Sequence, residues 1–383
     1  MIPYGKQSID QDDIDAVVNV LKSDWLTQGP KVPEFESRVA AYCGAQSAVA
    51  ANSATSALHL ACLALNISEG DIVWTSPISF VASANCALYC GAQIDFVDIE
   101  LETGNMSVGR LAEKLAYAKI QGTLPKLVIP VHLAGQSCDM KEIHKLSQQY
   151  GFKIIEDASH AIGGLYKGKK IGGCQFSDIT VFSFHPVKII TSAEGGLALS
   201  NNKKLVRTMQ RLRSHGITNV PEEMTETGHG PWYYQQVELG FNYRMTELQA
   251  ALGLSQLNQL DKFVARRHLL AKQYDMLLRS MPVDPLLQTS DCYSAFHLYI
   301  IKLNLSTKKK HSDVFEKLRE SGIFCQLHYI PIHLQPYYEK RGFRSGDFPV
   351  AESYYSCAIT LPLHPNLTTE EQQYIVTKLG ELL

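Results

Sequence analysis

The chain has 383 residues, with 36 basic and 38 acidic side chains and a formal net charge of -2. No run of like charge is long enough to form a tail, which argues against nucleic acid or an anionic membrane as partner. No apolar run approaches the roughly 18 to 20 residues that span a bilayer, and MIPYGKQSIDQDDID lacks the basic start and apolar core of a secretory signal, so the expectation is a cytoplasmic protein. The nine cysteines are scattered through apolar segments without a C-x-x-C pair and read as reduced, buried thiols. The thirteen histidines show no H-E-x-x-H or comparable spacing, so no metal is expected.

In chain order, SIDQDDIDAVVNVLKS places Ile14, Val17, Val18 and Leu21 at helical spacing behind an acidic first turn, which suits the positive end of a helix dipole. DWLTQGPKVPEF, with Gly29, Pro30 and Pro33, reads as an irregular loop. From about residue 45 to 200, seven β-rich runs alternate with helical patterns such as TSALHLACLAL and SFVASANCALYCG. The runs are SAVAAN, DIVWTS, IDFVDI, KLVIPVH, KIIEDAS, ITVFSF and GGLALS. Near-continuous apolar strands separated by helices predict a mainly parallel sheet covered on both faces. In such a sheet ligands sit beyond the carboxyl ends of the strands. Residues 217–235 have no sustained period and read as a long surface loop, a candidate lid. A helical pattern from Thr246 to about Leu278 leads into strand SAFHLYIIKLN, helix SDVFEKLRESG, strand FCQLHYI and a final helix from about Thr369, where Thr368-Thr369-Glu370-Glu371 resembles a capping box. The expected organisation is a large α/β domain over 1–245, then a bridging helix and a smaller α+β domain over 246–383.

No G-x-G-x-x-G follows the first strand, and neither G-x-x-x-x-G-K-[ST] nor G-x-S-x-G occurs. Attention therefore falls on polar residues at strand ends. KIIEDASHA ends a strand on Glu156-Asp157 and continues through Ser159 and His160. An acid there either caps the next helix or faces a cationic heterocycle; pyridoxal phosphate needs such a partner at its ring nitrogen to act as an electron sink. In FSFHPVKIITSAEGG, Lys188 stands among Val187, Ile189 and Ile190. It is either a snorkelling lysine or an amine whose pKa burial lowers until it can attack an aldehyde. NSATSAL places Ser53, Ala54 and Thr55 at a helix start, as an ordinary cap or as a phosphate cradle, with Ser183 as a further hydroxyl. Phe80 is placed either in the core or against a flat ring.

Together NSATSALHLA, TSPISFVASANC, EDASHAIGG, SFHPVKIITSAEGG, RSHG and GFNYRMTELQAALG resemble the DegT/StrS family of sugar aminotransferases. The resemblance runs from WLTQGPKVPEFE to HYIPIH, with the six motifs in the family's order. It implies a fold-type-I aminotransferase architecture with pyridoxal 5'-phosphate as cofactor. On that resemblance Lys188 is the Schiff-base lysine, Asp157 the partner of the ring nitrogen, His160 the neighbour of the phenolic oxygen and Phe80 the stacking ring. Ala54, Thr55 and Ser183 would hold the phosphate with Asn242, which relatives supply from the neighbouring subunit of a homodimer. Tyr4, Asp24, Trp25, Leu26, Thr27, His328, Tyr329, Ile330 and Pro331 match places where relatives contact a nucleotide sugar, as do Ala54, Ser183 and Asn242; Arg244 is a candidate partner for the amino donor's carboxylate. Many relatives carry S-G-T where this chain has Ser53-Ala54-Thr55, and relatives that dehydrate sugars carry histidine in place of the lysine. The implied reaction moves the amine of L-glutamate to C4 of a UDP-linked 4-keto-6-deoxy-N-acetylhexosamine, as in pseudaminic acid biosynthesis. Two alternatives are another 4-keto sugar, of the bacillosamine, perosamine or aminoarabinose type, and a non-catalytic sensor on the same fold.

Overall fold

The computed structural model describes residues 1–226, 228–304 and 311–383; Thr227, within the candidate lid, lies outside the described residues. All seven expected runs form one sheet: β1 (Ser47–Ala51), β2 (Ile72–Thr75), β3 (Gln93–Phe96), β4 (Leu127–Ile129), β5 (Lys153–Asp157), β6 (Ile179–Ser183) and β7 (Gly196–Ser200). Their order is β1-β7-β6-β5-β4-β2-β3. Strands β2 to β6 pair in parallel, whereas β7 runs antiparallel to both its neighbours. The reason lies in the connection: residues 184–195 carry no crossover helix but fold back, with Phe184 N donating to Gly195 O at 2.9 Å and Ser192 N to Phe184 O at 3.0 Å.

Alternate side chains of every strand but the edge strand β3 enter two separate cores, as the pleat requires. On one face Val49, Val73, Ile129, Ile155 and Val181 pack with the helices Ala54–Ala64, Ala82–Tyr89 and Lys203–Arg213. On the other, Ala50, Trp74, Val128, Ile154 and Phe182 pack with Lys31–Cys43, Val108–Gln121, Met140–Tyr150 and the first half of the long helix Glu247–Leu277. The second half of that helix enters a third core with the antiparallel strands Val283–Pro285, Tyr299–Leu303 and Ala358–Leu361 and the helix Thr369–Leu382. Ile2–Pro3 joins this region by pairing in parallel with Ile323–Phe324.

The capping box predicted at Thr368 holds, and the structure adds a second at Thr246. Thr368 Oγ1 accepts from Glu371 N while Glu371 reaches back to Thr368 N, and Thr246 and Gln249 form the same reciprocal pair. Four expectations change. The loop read over DWLTQGPKVPEF ends early, because the helix starts at Lys31: Pro33 occupies its first turn, where a missing N–H costs nothing, and the buried Glu247 carboxylate accepts from Lys31 N and Val32 N. On the helix Gln11–Leu21, Ile14 and Leu21 are exposed, and the docked face carries Asp13 and Val20. A hydrogen bond from Gln256 Nε2 to Asp13 Oδ2 at 2.5 Å pins that face to the long helix. FCQLHYI supplies only a short strand, Ile323–Phe324, before an irregular segment. Finally, the 217–235 segment is tied at its base by a two-stranded ribbon, Ile217–Thr218 with Gln235–Gln236.

Candidate active site

Strands β5 and β6 are parallel neighbours, so Asp157 at the end of one and the loop after Ser183 at the end of the other open on the same edge of the sheet. Between them lies a cavity of about 1080 Å³, whose walls include Asp157, His160, Ser183 and Lys188. Tyr4, Ala54, Thr55, Phe80, His328, Tyr329 and Ile330 also line it. One cavity thus gathers eleven of the sequence-designated positions from segments scattered over the whole chain.

Lys188 is presented by the fold-back loop, its N–H closing a turn on His185 O at 2.9 Å. Its neighbours Ile189 and Ile190 are buried in the core beneath, while Lys188 itself lines the cavity, so the amine faces a pocket rather than bulk water. Burial lowers its pKa to about 8, and the nearby Asp157 carboxylate offsets part of that shift. Asp157 is 5 % exposed; Oδ2 accepts from Ser83 Oγ at 2.6 Å and Oδ1 from Ser159 N at 3.1 Å. Ser83 is in turn bonded to Ser79 at 2.6 Å. These bonds fix the carboxylate on the cavity wall.

At the helix Ala54–Ala64, Ser53 is an N-cap: its Oγ accepts from Ser56 N at 3.1 Å. The cap and cradle readings coexist, because the first backbone N–H groups of a helix have no intrahelical partner and Ala54 and Thr55 line the cavity. Gly196 permits this: a Cβ there would lie 2.4 Å from the Ala54 backbone, so only glycine lets the helix start sit on β7. Phe80 is 59 % exposed, which removes the core reading and leaves a flat ring at the cavity.

His160 is buried, with Nε2 3.1 Å from the Tyr329 hydroxyl and Nδ1 without a partner among the described residues. Burial first, and then Lys188 and His328, push its pKa well below the ordinary value. His328, bonded through Nδ1 to Thr360 Oγ1 at 2.8 Å, is pushed down to about 3 by burial and by Lys188. Both rings are therefore neutral near pH 7.

The remaining designated residues lie elsewhere. Asp24, Trp25, Leu26, Thr27 and Asn242 are exposed and Arg244 is half-buried, none of them on the cavity wall; Pro331 caps the single turn Ile332–Leu334. The Asn242 carbonyl lies 3.5 Å from Asn52 Nδ2, and Asn52 lines the cavity. Sequence reasoning missed Ser83, His297 and Gln335. Ser83 sits unmarked in the small-residue helix pattern SFVASANC, and His297 in an apolar run read as strand, so neither carried a local signal.

The arrangement suits pyridoxal phosphate: an amine without a salt-bridge partner among the described residues, a fixed carboxylate on the same cavity wall, a flat ring, and a helix start for the phosphate. Comparison with known proteins agrees. Residues 7–380 match the DegT/DnrJ/EryC1/StrS aminotransferase family. The chain is 38% identical over its full length to the Campylobacter jejuni UDP-4-amino-4,6-dideoxy-N-acetyl-beta-L-altrosamine transaminase, covering 98% of that protein. Among solved structures it is similar to Helicobacter pylori PseC, an aminotransferase involved in the biosynthesis of pseudoaminic acid, with a TM-score of 0.90 and 33% identity over 100% of this chain and 98% of that one. It is also similar to the PLP form of the sugar aminotransferase Spr1654 from Streptococcus pneumoniae, with a TM-score of 0.89 and 30% identity, again over 100% and 98% of the two chains. With a cavity whose lining suits the cofactor and a family match over nearly its whole length, the chain belongs to the DegT/DnrJ/EryC1/StrS aminotransferases and is a pyridoxal-phosphate-dependent sugar aminotransferase.

Proposed function

We propose that the enzyme transfers the amino group of L-glutamate to the C4 keto carbon of a UDP-linked 4-keto-6-deoxy-N-acetylhexosamine, the reaction class of its altrosamine-transaminase relatives. The observation that carries this reading is the pairing, in one cavity, of a lysine with a lowered pKa and a fixed carboxylate. When bound, pyridoxal phosphate supplies the electron sink; the protein supplies position and protons. Lys188 Nζ is the attachment point and afterwards the base that takes a proton from the donor's α-carbon and delivers one to C4 of the sugar. Asp157 keeps a proton on the ring nitrogen, Ser83 and Ser159 keep Asp157 in place, and His160 faces the phenolic oxygen as a neutral group. Ala54, Thr55 and Ser183 hold the phosphate, and Phe80 covers the ring. Tyr4, His328, Tyr329 and Ile330 form the wall met by the sugar.

The reading includes a homodimer. Lys188 is the only lysine among the described lining residues, and no arginine accompanies it, although the cofactor and a nucleotide diphosphate both bring negative charge. Asn242, Arg244 and Asp24 to Thr27 sit outside their own chain's cavity, and we assign them to completing the site of a second copy. The large domain over 1–245 carries the cofactor, and the part over 246–383 closes on the sugar. The decisive experiment incubates the purified protein and glutamate with a panel of UDP- and dTDP-linked 4-keto sugars and identifies the products by NMR. A 4-amino product from the UDP N-acetyl sugar supports the proposal; amination of a dTDP sugar alone sinks the substrate assignment and keeps the transaminase.

A further inference from the structure

We propose that His297 is a positioning residue for this chemistry: backed by Arg267, it clamps the imidazole of His160 in one orientation against the cavity. His297 is 3 % exposed and reaches the cavity wall just before the strand Tyr299–Leu303. Its ring centroid lies 4.5 Å from that of His160, which Tyr329 holds by a hydrogen bond at 3.1 Å and a stacked ring at 6.1 Å.

The clamp is made largely of backbone. Arg267, on the long helix and 1 % exposed, donates from Nη1 to the carbonyls of Phe296, His297 and Leu363 at 3.2, 3.1 and 2.9 Å. Carbonyl partners fix the turn yet leave the guanidinium its full positive charge behind His297. The turn can come this close only because residue 135 is glycine. A Cβ there would lie 2.9 Å from Phe296 N, 3.0 Å from His160 O and 3.1 Å from His297 N, at a φ of +106°.

The titratable and charged groups facing the two imidazoles are Lys188 from the β6–β7 loop, His328 and Tyr329 from the irregular segment after Phe324, and Arg267 from the long helix. Asp157 completes the cavity wall, each of its oxygens accepting one hydrogen bond, from Ser83 and Ser159. Burial and the surrounding positive charge hold both rings neutral. A fixed, neutral His160 keeps the same hydrogen bond to a cavity ligand while Lys188 gains and loses its proton.

The inference deepens the transaminase reading and rests on it for its kinetic consequence, but its first test uses cofactor-free protein. Ring NMR of histidine-labelled protein, with His160 identified through His160→Gln, should show one His160 signal that stays put from about pH 5.5 to about pH 8.5. In His297→Phe, melting as the wild type does, that signal should titrate or split. The kcat of the cofactor-loaded variant should fall about tenfold with the KM for glutamate within about twofold, as expected when a group is misplaced rather than removed. A wild-type His160 titrating near its ordinary value of about 6.5 overturns the proposal even if His297→Phe does not fold, as does a variant with unchanged signal and kcat. Retained turnover in Lys188→Ala would instead sink the role proposed for Lys188 and leave the NMR result standing.

Discussion

Glu156 and Asp157 leave the end of β5 on opposite faces of the sheet, and their surroundings differ as much as their directions. Glu156 Oε2 meets His132 Nε2 at 2.7 Å, while Oε1 accepts from Ser177 Oγ at 2.5 Å and Thr180 Oγ1 at 3.0 Å. His132 is itself held, since its Nδ1 accepts from Cys138 N at 3.2 Å. This acid is consumed by the protein. Asp157 has two donors, and a carboxylate offers about four acceptor positions. It keeps capacity for a ligand and faces the space to receive one. Two adjacent acids of one sheet edge thus separate into one taken up by protein partners and one left with capacity for a ligand, and the partners, rather than the burial common to both, make the distinction.

The largest effect that tests this contrast comes from the group opposite Asp157. Lys188→Ala should abolish the absorbance of lysine-bound cofactor and cut turnover by about a thousandfold or more, the upper range for loss of a general base. Next, Asp157→Asn should bind cofactor yet lose turnover by on the order of a hundredfold, with little change in melting temperature. Glu156→Gln should do the reverse: about 1–3 kcal/mol of stability lost in urea unfolding, because a buried hydrogen-bond set is disturbed, with kcat per folded molecule nearly unchanged. Similar effects of the two substitutions would erase the distinction. A subtler outcome concerns pH. The neutral fraction of Lys188 rises with pH through about 8, so the rate of cofactor capture by the cofactor-free protein should rise to a plateau with that midpoint. Asp157 holds the midpoint up, so Asp157→Asn should move it lower, and a rise instead would contradict the geometry. Smallest, Ser83→Ala leaves Asp157 Oδ2 without its donor and should cost about 1 kcal/mol of stability and a few-fold in kcat.

Much of this was legible in the residues. The strands were marked by apolar runs because all but the edge strand β3 are buried on both faces, and the cap at Thr368 by short-range chemistry. That Asp157 and Lys188 would meet at one sheet edge was legible because strand ends follow from the alternation of elements. What escaped depends on distant partners. Pro33 sits in a helix because Glu247, far along the chain, accepts from that helix's first N–H groups. The periodic face of Ile14 and Leu21 stays outside because Gln256 claims Asp13. Ser83 and His297 gain meaning only from what they touch after folding.

The pairing of Ile2–Pro3 with Ile323–Phe324 has a consequence for biogenesis. Tyr4 follows one of these strands, and Leu327 to Ile330 lie a few residues beyond the other, all on the cavity wall. During synthesis the strand at residues 2–3 has no partner until residue 324 has left the ribosome. Until then one wall of the cavity is missing, and closing so long a loop is entropically costly. The wall that we assign to the sugar is thereby completed only once Ile323–Phe324 has joined the fold.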